Sequence, residues 1–408
     1  MNWRCASDSR IMKVLIVGGG IGGLTAALCC LHFGHEVTVF EQAEEFGEVG
    51  AGIQIPPNAM KVFEALGISD VISEKAFRPE AIEARMGESG TSIFAVPLAQ
   101  QALDMWGSPY LHIHRADYIQ ALKQALVTSA PKALQLSSQV TGVAQKDAGV
   151  TLSLKDGREF TGDVLIGADG IKSKVREILF GEDKARFTGN VAWRAVVPIE
   201  RLKQHVPNPT ACAWMGRGRH AVTYRLRGGE LANFVGVVER DDWKEEGWAQ
   251  RGSIEDALRD FQGWHPAITE LITSIEPKAL FRWALFDRPP LARWSLGRVS
   301  LLGDAAHPML PFMAQSAAMA VEDSWVFARE ISQSGRSVSE TLEAYQDLRC
   351  ARTQKAQAAS RTNMTTFHQQ SRWGQVKTYG PMWLAGLLLP SIVHKRMNWL
   401  YGFDVTEP

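Results

Sequence analysis

A glycine-rich turn near the start of the chain carries the clearest chemical signal. Gly18, Gly20 and Gly23 form the pattern Gly-x-Gly-x-x-Gly. The first glycine permits a tight turn, the second lets the backbone approach a pyrophosphate, and the third lets a helix pack closely on a strand. The start of the following helix offers free N–H groups and the positive end of its dipole to phosphates. Glu41 ends the next apolar run, where its carboxylate can bind an adenosine ribose that carries no 2′-phosphate.

A second candidate site lies in the middle of the chain. His220 and Tyr224 stand four residues apart in a run that alternates as a strand does, so both side chains face one side of a sheet. At about 3.3 Å per residue they would lie roughly 13 Å apart, which suits two contacts along one cavity wall and excludes a direct pair. A histidine with a pKa near neutrality can accept or relay a proton. The alternative is that His220 is a hydrogen-bonded sheet residue and Tyr224 a packing residue.

The hydrophobic pattern predicts the elements that position these residues. Apolar runs over 13–17 and 36–40 flank an Ala- and Leu-rich helix over 24–31, which together form a β-α-β unit. We predict further helices over 58–66, 118–128, 316–332 and 338–360, and strands over 134–143, 150–154, 159–166 and 299–302. Asp156-Gly157 predicts a hairpin turn. Between 193 and 283 the runs alternate or are β-branched, which predicts a mostly antiparallel sheet.

The order of these elements predicts an α/β fold with two interleaved lobes. A Rossmann-like nucleotide-binding lobe, built from a parallel sheet with helices, alternates along the chain with a mostly antiparallel-sheet substrate lobe, and C-terminal helices follow. We place the nucleotide-binding lobe at 12–75, 111–185 and 291–365, the antiparallel lobe at 76–110 and 186–290, and a helical tail at 366–408.

Composition narrows the possible functions. Of 408 residues, Lys plus Arg and Asp plus Glu each total 44, and this balance argues against a protein whose main task is holding nucleic-acid phosphates. The five cysteines are scattered and show no Cys-x-x-Cys spacing, so we expect neither a disulfide framework nor a metal site. No apolar run reaches the roughly 18 residues of a membrane span, and the first residues lack the apolar core of a secretion signal. We therefore expect a cytoplasmic protein without a transmembrane segment.

Two later motifs indicate which dinucleotide is bound. Residues 163–170 (DVLIGADG) form a strand that leads into a turn, and residues 301–308 (LLGDAAHP) form another strand that ends in Gly-Asp. With the glycine turn, and in this order, they make the sequence resemble the single-component FAD-dependent aromatic hydroxylases, the class typified by para-hydroxybenzoate hydroxylase. Within that class it is most similar to the group of salicylate hydroxylase, 3-hydroxybenzoate 6-hydroxylase and 6-hydroxynicotinate 3-monooxygenase. The likeness runs over about 12–363.

The resemblance implies a role for each matching residue. Glu41 would hold the adenosine ribose, Arg115 would lie beside the FAD phosphates and ribitol, and Asp304 would bond the ribitol hydroxyls. The turn at Asp169 is linked in the family both to FAD and to the nicotinamide donor. His220 and Tyr224 would lie beside the aromatic substrate. The resemblance also places five further residues at the cofactor: Gly52, Val140, Gly303, Pro311 and Ala317.

The activity implied by the resemblance is monooxygenation. NADH or NADPH would reduce FAD, O₂ would add at the flavin C4a, and the hydroperoxide would transfer one oxygen to a small hydroxylated aromatic or N-heteroaromatic acid. The nicotinamide donor would bind transiently, and the protein would act as a monomer or homodimer without a nucleic-acid partner. Ser316 departs from the family pattern, which usually has glycine there, and its Cβ would affect the approach of the backbone to the flavin.

Other functions stay open. A related FAD enzyme, such as a decarboxylating hydroxylase, an epoxidase or a halogenase, would share the same motifs, although the Trp-x-Trp run of halogenases is missing. A non-catalytic flavin-binding redox sensor is the alternative from another class. Residues 216–221 also fit Gly-x-Gly-x-x-Ala, a looser form of the dinucleotide-binding pattern. A strand-like run follows where that pattern requires a helix, so we predict no second nucleotide site there.

Overall fold

The computed structural model describes residues 10–47, 51–183, 185–240, 250–388 and 390–407. The strands are β1 Lys13–Val17, β2 Glu36–Phe40, β3 Gly52–Ile55, β4 Ala81–Met86, β5 Ser92–Pro97, β6 Leu111–His114, β7 Leu134–Gln135, β8 Val140–Lys146, β9 Gly149–Leu154, β10 Glu159–Gly162, β11 Val164–Gly167, β12 Arg186–Pro198, β13 Ala211–Gly216, β14 Arg219–Leu226, β15 Leu231–Glu239, β16 Gln250–Arg251, β17 Phe281–Asp287, β18 Ser295–Leu296 and β19 Val299–Leu301. The helices are α1 Ile21–His32, α2 Pro57–Ala65, α3 Ser69–Glu74, α4 Ala99–Trp106, α5 Arg115–Ser129, α6 Lys174–Phe180, α7 Ile254–Asp260, α8 Pro266–Thr273, α9 Ser316–Ser332, α10 Val338–Phe367, α11 Arg372–Leu388 and α12 Pro390–Tyr401.

A six-stranded, mostly parallel sheet carries the glycine turn. Its strand order is β18-β19-β11-β1-β2-β7, and only β18 runs antiparallel to its neighbour. The inner strands read as continuous apolar runs because helices cover both faces of such a sheet. Val14 to Val17 of β1 are buried in one core with Leu24 of α1 and Val326 of α9.

An eight-stranded, mostly antiparallel sheet forms the second layer. Its order is β16-β17-β12-β15-β14-β13-β4-β5, and β13 and β4 are its one parallel pair among the described strands. One face packs on residues of α7 and α8. The other face meets the loop before α9 and the C-terminal end of α10 in a cluster of apolar residues: Ala192, Val222, Val235, Val237, Trp283, Leu285, Leu310, Phe312, Met364 and Phe367. This second face, here called the inner face, carries the substrate-side candidates.

The predicted fold class is confirmed, and so is the β-α-β unit at the start of the chain. The predicted helix over 316–332 agrees with α9 at both ends, and the turn at Asp156-Gly157 joins two antiparallel strands. The lobe boundaries stay predictions. No helix in the described ranges is long and apolar enough to cross a membrane.

Three predicted elements are wrong in extent. The strand predicted over 134–143 is two strands, β7 and β8, which lie in different sheets. The strand predicted over 159–166 is likewise divided into β10 and β11, because Asp163 exchanges hydrogen bonds with the backbone of Lys13 at the start of the parallel sheet. The helix predicted to end at 360 continues to Phe367.

Candidate active site

The glycine turn joins β1 to α1 and leaves room for a ligand. Gly18 has φ +104°, which L side chains rarely adopt, and a Cβ on Gly23 would lie 1.8 Å from the carbonyl oxygen of Gly18. A Cβ on Gly20 would meet no atom within 4 Å. The first turn of α1 contains no acidic residue, so its N-terminal dipole is available to a phosphate.

Glu41 lies directly beside this turn. Its Oε2 accepts a hydrogen bond from the backbone N–H of Gly19 at 2.7 Å, and its Oε1 accepts one from Ala43 at 2.9 Å. Backbone donors therefore hold the carboxylate at the carboxyl end of β2, next to the open space at Gly20.

Arg115 and Asp304 lie near the same place. Arg115 begins α5, and its backbone N–H donates to the carbonyl of Ala51 at 2.9 Å. Burial lowers the pKa of the Arg115 guanidinium, while the carboxylates of Asp304 and Glu41 oppose that change. Within the described ranges the guanidinium makes no hydrogen bond or ion pair, so its donors are available to an anionic ligand.

The Asp304 loop follows β19 as a short 3₁₀ turn, Gly303–Ala305. The hydroxyl of Ser316, at the start of α9, donates to the carboxylate of Asp304. Burial raises the pKa of Asp304, and the Ser316 hydrogen bond and the charges of His307 and Arg115 oppose this increase. Ser316, at which the resemblance implies a glycine, thus contacts a predicted cofactor residue.

A buried ionic network holds this loop, and the sequence reasoning missed its two acids. Asp323 accepts from His307 Nε2 at 2.5 Å, from Arg349 Nε at 2.7 Å and from the backbone N–H of Gly303 at 3.1 Å. Glu322 pairs with Arg349 at 2.7 Å. The charges of His307 and Arg349 lower the pKa of Asp323 although burial acts to raise it. The sequence signal for this network was the adjacent pair of acids, Glu322 and Asp323, within the mostly apolar helix α9.

Asp169 caps a helix. Its carboxylate accepts from Ser173 Oγ at 2.5 Å, and from the backbone N–H groups of Lys174 and Val175 at 2.7 Å and 3.1 Å, at the start of α6. Burial raises the pKa of Asp169. Both carboxylate oxygens thus accept hydrogen bonds within the turn. The link of this turn to FAD and to the nicotinamide donor stays a prediction.

Gly52 connects the cofactor side to the substrate side. It pairs with His114, the residue before Arg115, in the small sheet of β3 and β6. Its N–H donates to Asn233 Oδ1 at 2.8 Å, and a Cβ on Gly52 would lie 2.6 Å from the ring of Tyr224.

The remaining predicted cofactor residues occupy different environments. Val140 begins β8 and is buried in the core of the parallel sheet. Pro311 is exposed in the loop before α9, and Ala317 is half-buried in the first turn of that helix. Their contact with a cofactor stays a prediction.

His220 and Tyr224 both lie on the inner face of β14, as the alternation predicts, and both are buried. The His220 ring lies 5.1 Å from that of Phe312, and its Nδ1 is 2.7 Å from Nε2 of His368. The Tyr224 ring lies 4.6 Å from that of His112. The two residues therefore contact different groups along one wall, and their roles in the reaction stay predictions.

Arg194 is a further inner-face residue that the sequence reasoning missed. It lies on β12, opposite Val235 of β15. Val235 lies opposite Val222 of β14, and Val222 is midway between His220 and Tyr224. Its guanidinium lies 4.3 Å from the centre of the Trp283 ring, and burial lowers its pKa to about 10. Its Nε is buried without a hydrogen-bond partner, and no ion pair in the described ranges includes it. The signal was a single arginine inside the apolar run VAWRAVVP.

Comparison with known proteins defines the class: the chain is an FAD-dependent monooxygenase of the aromatic hydroxylase class. Residues 11–360 match the FAD binding domain family, and the chain belongs to that family. The resemblance inferred from the three sequence motifs is therefore confirmed.

Curated relatives and a solved structure are similar over almost the whole chain. The 3-amino-4-hydroxybenzoate 2-monooxygenase PtmB3 of Streptomyces platensis is 36% identical, over 96% of this chain and 96% of that protein. The 3-hydroxybenzoate 6-hydroxylase of Polaromonas naphthalenivorans (strain CJ2) is 37% identical, over 97% of this chain and 96% of that protein. The crystal structure of Klebsiella pneumoniae HpxO complexed with FAD and uric acid superposes with a TM-score of 0.83 at 26% identity, covering 95% of this chain and 97% of that chain.

The residues present fit an FAD. The open space at Gly20 and the start of α1 suit a pyrophosphate. The guanidinium of Arg115, which has no partner among the described residues, supplies positive charge near Glu41, and Glu41 contacts the glycine turn. The carboxylates of Glu41 and Asp304 lie near that charge and can accept hydrogen bonds from hydroxyl groups.

Proposed function

We propose that this enzyme hydroxylates a small hydroxylated aromatic or N-heteroaromatic acid, with NADH or NADPH and O₂ as co-substrates. The observation that carries the choice of an acid is Arg194, which lies on the same sheet face as His220 and Tyr224 and has no anionic partner among the described residues. A desolvated cation without a counter-ion is unfavourable, so a substrate carboxylate that pairs with it would bind strongly. A guanidinium also matches a carboxylate with two parallel hydrogen bonds.

The chain binds the cofactor and orients the substrate beside it. When bound, FAD supplies the chemistry that activates O₂. The glycine turn and Arg115 would hold its phosphates, Glu41 its ribose and Asp304 its ribitol. The apolar inner face would exclude water from the reacting ring.

His220 and Tyr224 would act on the substrate hydroxyl and ring. Burial and the neighbouring His368 lower the pKa of His220 well below its ordinary value, so its ring is neutral at neutral pH and can accept a phenol proton. A phenolate is a better nucleophile than a phenol, which favours transfer of an electrophilic oxygen. Burial raises the pKa of Tyr224, so its hydroxyl stays protonated and can donate a hydrogen bond to the substrate.

The names of the relatives support this class of substrate. PtmB3 is named for 3-amino-4-hydroxybenzoate, and the Polaromonas enzyme is named for 3-hydroxybenzoate. A decarboxylating hydroxylase or an epoxidase would use the same cofactor site but release CO₂ or form an epoxide, and a redox sensor would release no product. We also propose a cytoplasmic monomer or homodimer.

A substrate screen tests the proposal. The purified FAD-bound protein is mixed with NADH or NADPH and with hydroxybenzoates, aminohydroxybenzoates or hydroxypyridine carboxylates, each matched to its analogue without the carboxyl group. We expect at least one acid to accelerate NAD(P)H oxidation and to gain one oxygen by mass spectrometry. Peroxide as the sole product with every acid, or equal turnover of the analogues without carboxyl groups, would contradict it.

A further inference from the structure

His220 belongs to a continuous hydrogen-bonded chain that reaches the protein surface. Its Nδ1 lies 2.7 Å from Nε2 of His368, whose Nδ1 lies 3.0 Å from Oε1 of Glu239. The exposed fraction is 2% for His220 and 3% for His368, but 43% for the side chain of Glu239. The three groups therefore connect the buried inner face with the solvent.

We propose that His368 and Glu239 form a proton path that carries the substrate's hydroxyl proton from His220 to the solvent. The proposal rests on the proposed function, since it requires a hydroxylated aromatic ligand beside His220. His368 and Glu239 are positioning residues in this scheme, because they act through His220.

Three separate elements build the path. His220 lies on β14, and Glu239 ends the paired strand β15, where its backbone N–H donates to Gly218 at 2.9 Å. His368 follows the last turn of α10, and its backbone N–H bonds to Met364 at 3.2 Å. The seven further residues of α10 beyond the predicted end at 360 are therefore what bring His368 to the inner face.

The hydrogen bonds define the direction of transfer. With His368 donating from Nδ1 to the Glu239 carboxylate, its Nε2 is the acceptor for the Nδ1–H of His220. The Nε2 of His220 then carries a lone pair, and it has no hydrogen-bond partner within the described ranges. It is the atom that can accept a proton from a ligand.

The proton transfers balance, and neither buried imidazole, that of His220 or that of His368, becomes charged. The ligand O–H bond breaks and its proton joins Nε2 of His220. The Nδ1–H proton of His220 moves to Nε2 of His368, and the Nδ1–H proton of His368 moves to Glu239, which releases it to water. Both rings change tautomer and stay neutral, and the ligand becomes a phenolate. Because no imidazolium forms, His220 can act as the proton acceptor although burial holds its pKa well below the ordinary value.

Few charged groups surround the His220–His368 pair. His220 otherwise contacts the apolar rings of Phe312 and Phe367. Among the described charged or titratable groups, only Glu239 and the two histidines themselves act on the pair. Burial lowers the pKa of His368, and Glu239 opposes this change, so both rings are neutral above their ordinary titration range.

The experiment follows proton release when a phenolic acid binds. The probe is 4-hydroxy-3-nitrobenzoate, whose phenolate absorbs visible light. It is mixed rapidly with the FAD-bound enzyme in weak buffer containing a pH indicator, at a pH below the pKa of the free phenol, so that the probe is protonated before it binds. We expect the wild type to form phenolate and release the proton together. Glu239→Gln and His368→Gln should slow both signals about tenfold or more, while flavin content is unchanged, and Glu239→Asp should restore the rate. The control is Glu270→Gln, since Glu270 also pairs with a histidine, His205, at 2.7 Å but lies outside the path.

Each result has a defined meaning. Wild-type rates in Glu239→Gln and His368→Gln would overturn the path and leave the proposed function standing. Equal slowing in Glu270→Gln would overturn it as well, since a general loss of structure would then explain the effect. A wild type that neither binds the probe nor hydroxylates any acid in the substrate screen would overturn the path together with the proposed function.

Discussion

The hydroxyl of Ser316 donates a hydrogen bond to the carboxylate of Asp304, so it stabilises the ionised form of a buried acid that we predict to bind the cofactor. Ser316→Ala removes this donor and should raise the pKa of Asp304 further. If ionised Asp304 is the form that holds FAD, affinity is lost as the pH falls through that pKa. Since a hydrogen bond to a charged group contributes about 1.5–3 kcal/mol, the loss should begin about one to two pH units higher in the variant.

Fluorescence titration of FAD at a series of pH values measures this shift. Ser324→Ala is the control, because Ser324 lies on the same helix and its hydroxyl donates only to backbone carbonyls. Identical pH profiles for wild type and Ser316→Ala would contradict the role of Ser316.

Two substitutions in the glycine turn should separate folding from cofactor binding. Gly20→Ala adds a methyl group to open space, so the protein without FAD should keep its thermal midpoint. FAD affinity should fall about tenfold or more, because we predict that the pyrophosphate occupies that space. Gly23→Ala places a Cβ against the Gly18 carbonyl and should lower the midpoint itself. Calorimetry and FAD titration of both variants test this contrast, and equal FAD affinity in Gly20→Ala would contradict it.

Arg194→Met should impair recognition of the acid. Loss of a bidentate pair should raise KM for the acid about 100-fold, while FAD content stays the same. The analogue without a carboxyl group should be affected much less, so the preference for the acid disappears. Steady-state kinetics with both compounds measure this. Arg282→Met is a matched control, because Arg282 contacts the Trp193 ring on the opposite face of the same sheet, and it should leave the preference unchanged.

His220→Ala should slow oxygen transfer without loss of flavin. The variant lacks the proton acceptor, so the substrate stays a phenol and reacts about 100-fold more slowly, within the usual range for general base catalysis. NAD(P)H oxidation should continue and yield peroxide in place of product. Wild-type product formation in this variant would exclude the proposed role of His220.

The buried carboxylate of Asp323 should contribute to stability in a pH-dependent manner. Its pKa is lowered in the fold, so its contribution is complete above the ordinary aspartate pKa and declines as the pH falls through the folded value. Asp323→Asn leaves Arg349 partly unpaired and should reduce stability by about 3–5 kcal/mol at pH 7, with a smaller difference below about pH 4.

Urea unfolding at both pH values measures the effect of Asp323→Asn. Asp156→Asn is the control, since Asp156 forms an exposed pair with Arg158, and its unfolding midpoint should change little. If the difference in unfolding free energy between wild type and Asp323→Asn grew as the pH fell, the predicted direction of the pH dependence would be contradicted.

Local patterns predicted much of the fold and of the geometry of the candidate site. The glycine turn, its flanking strands and the position of Glu41 depend on short-range geometry, which the sequence displays directly. The common face of His220 and Tyr224 follows from strand alternation alone.

Long-range contacts determine what could not be predicted. The division of the strand at 159–166 depends on Asp163 bonding to Lys13, 150 residues away in sequence. The contact between His220 and His368 spans 148 residues. Arg194 matters because no described residue is its anionic partner, and only the packed sheet reveals this.

Oxygen transfer to an aromatic acid is the central claim, and labelled oxygen tests it most directly. The FAD-bound enzyme would be incubated with NAD(P)H, ¹⁸O₂ and the acid that most accelerates NAD(P)H oxidation, and the product examined by mass spectrometry. The account predicts a product that carries one ¹⁸O atom from O₂, with a yield that drops in Arg194→Met and His220→Ala. A product without ¹⁸O, or a purified protein that takes up no flavin, would contradict it.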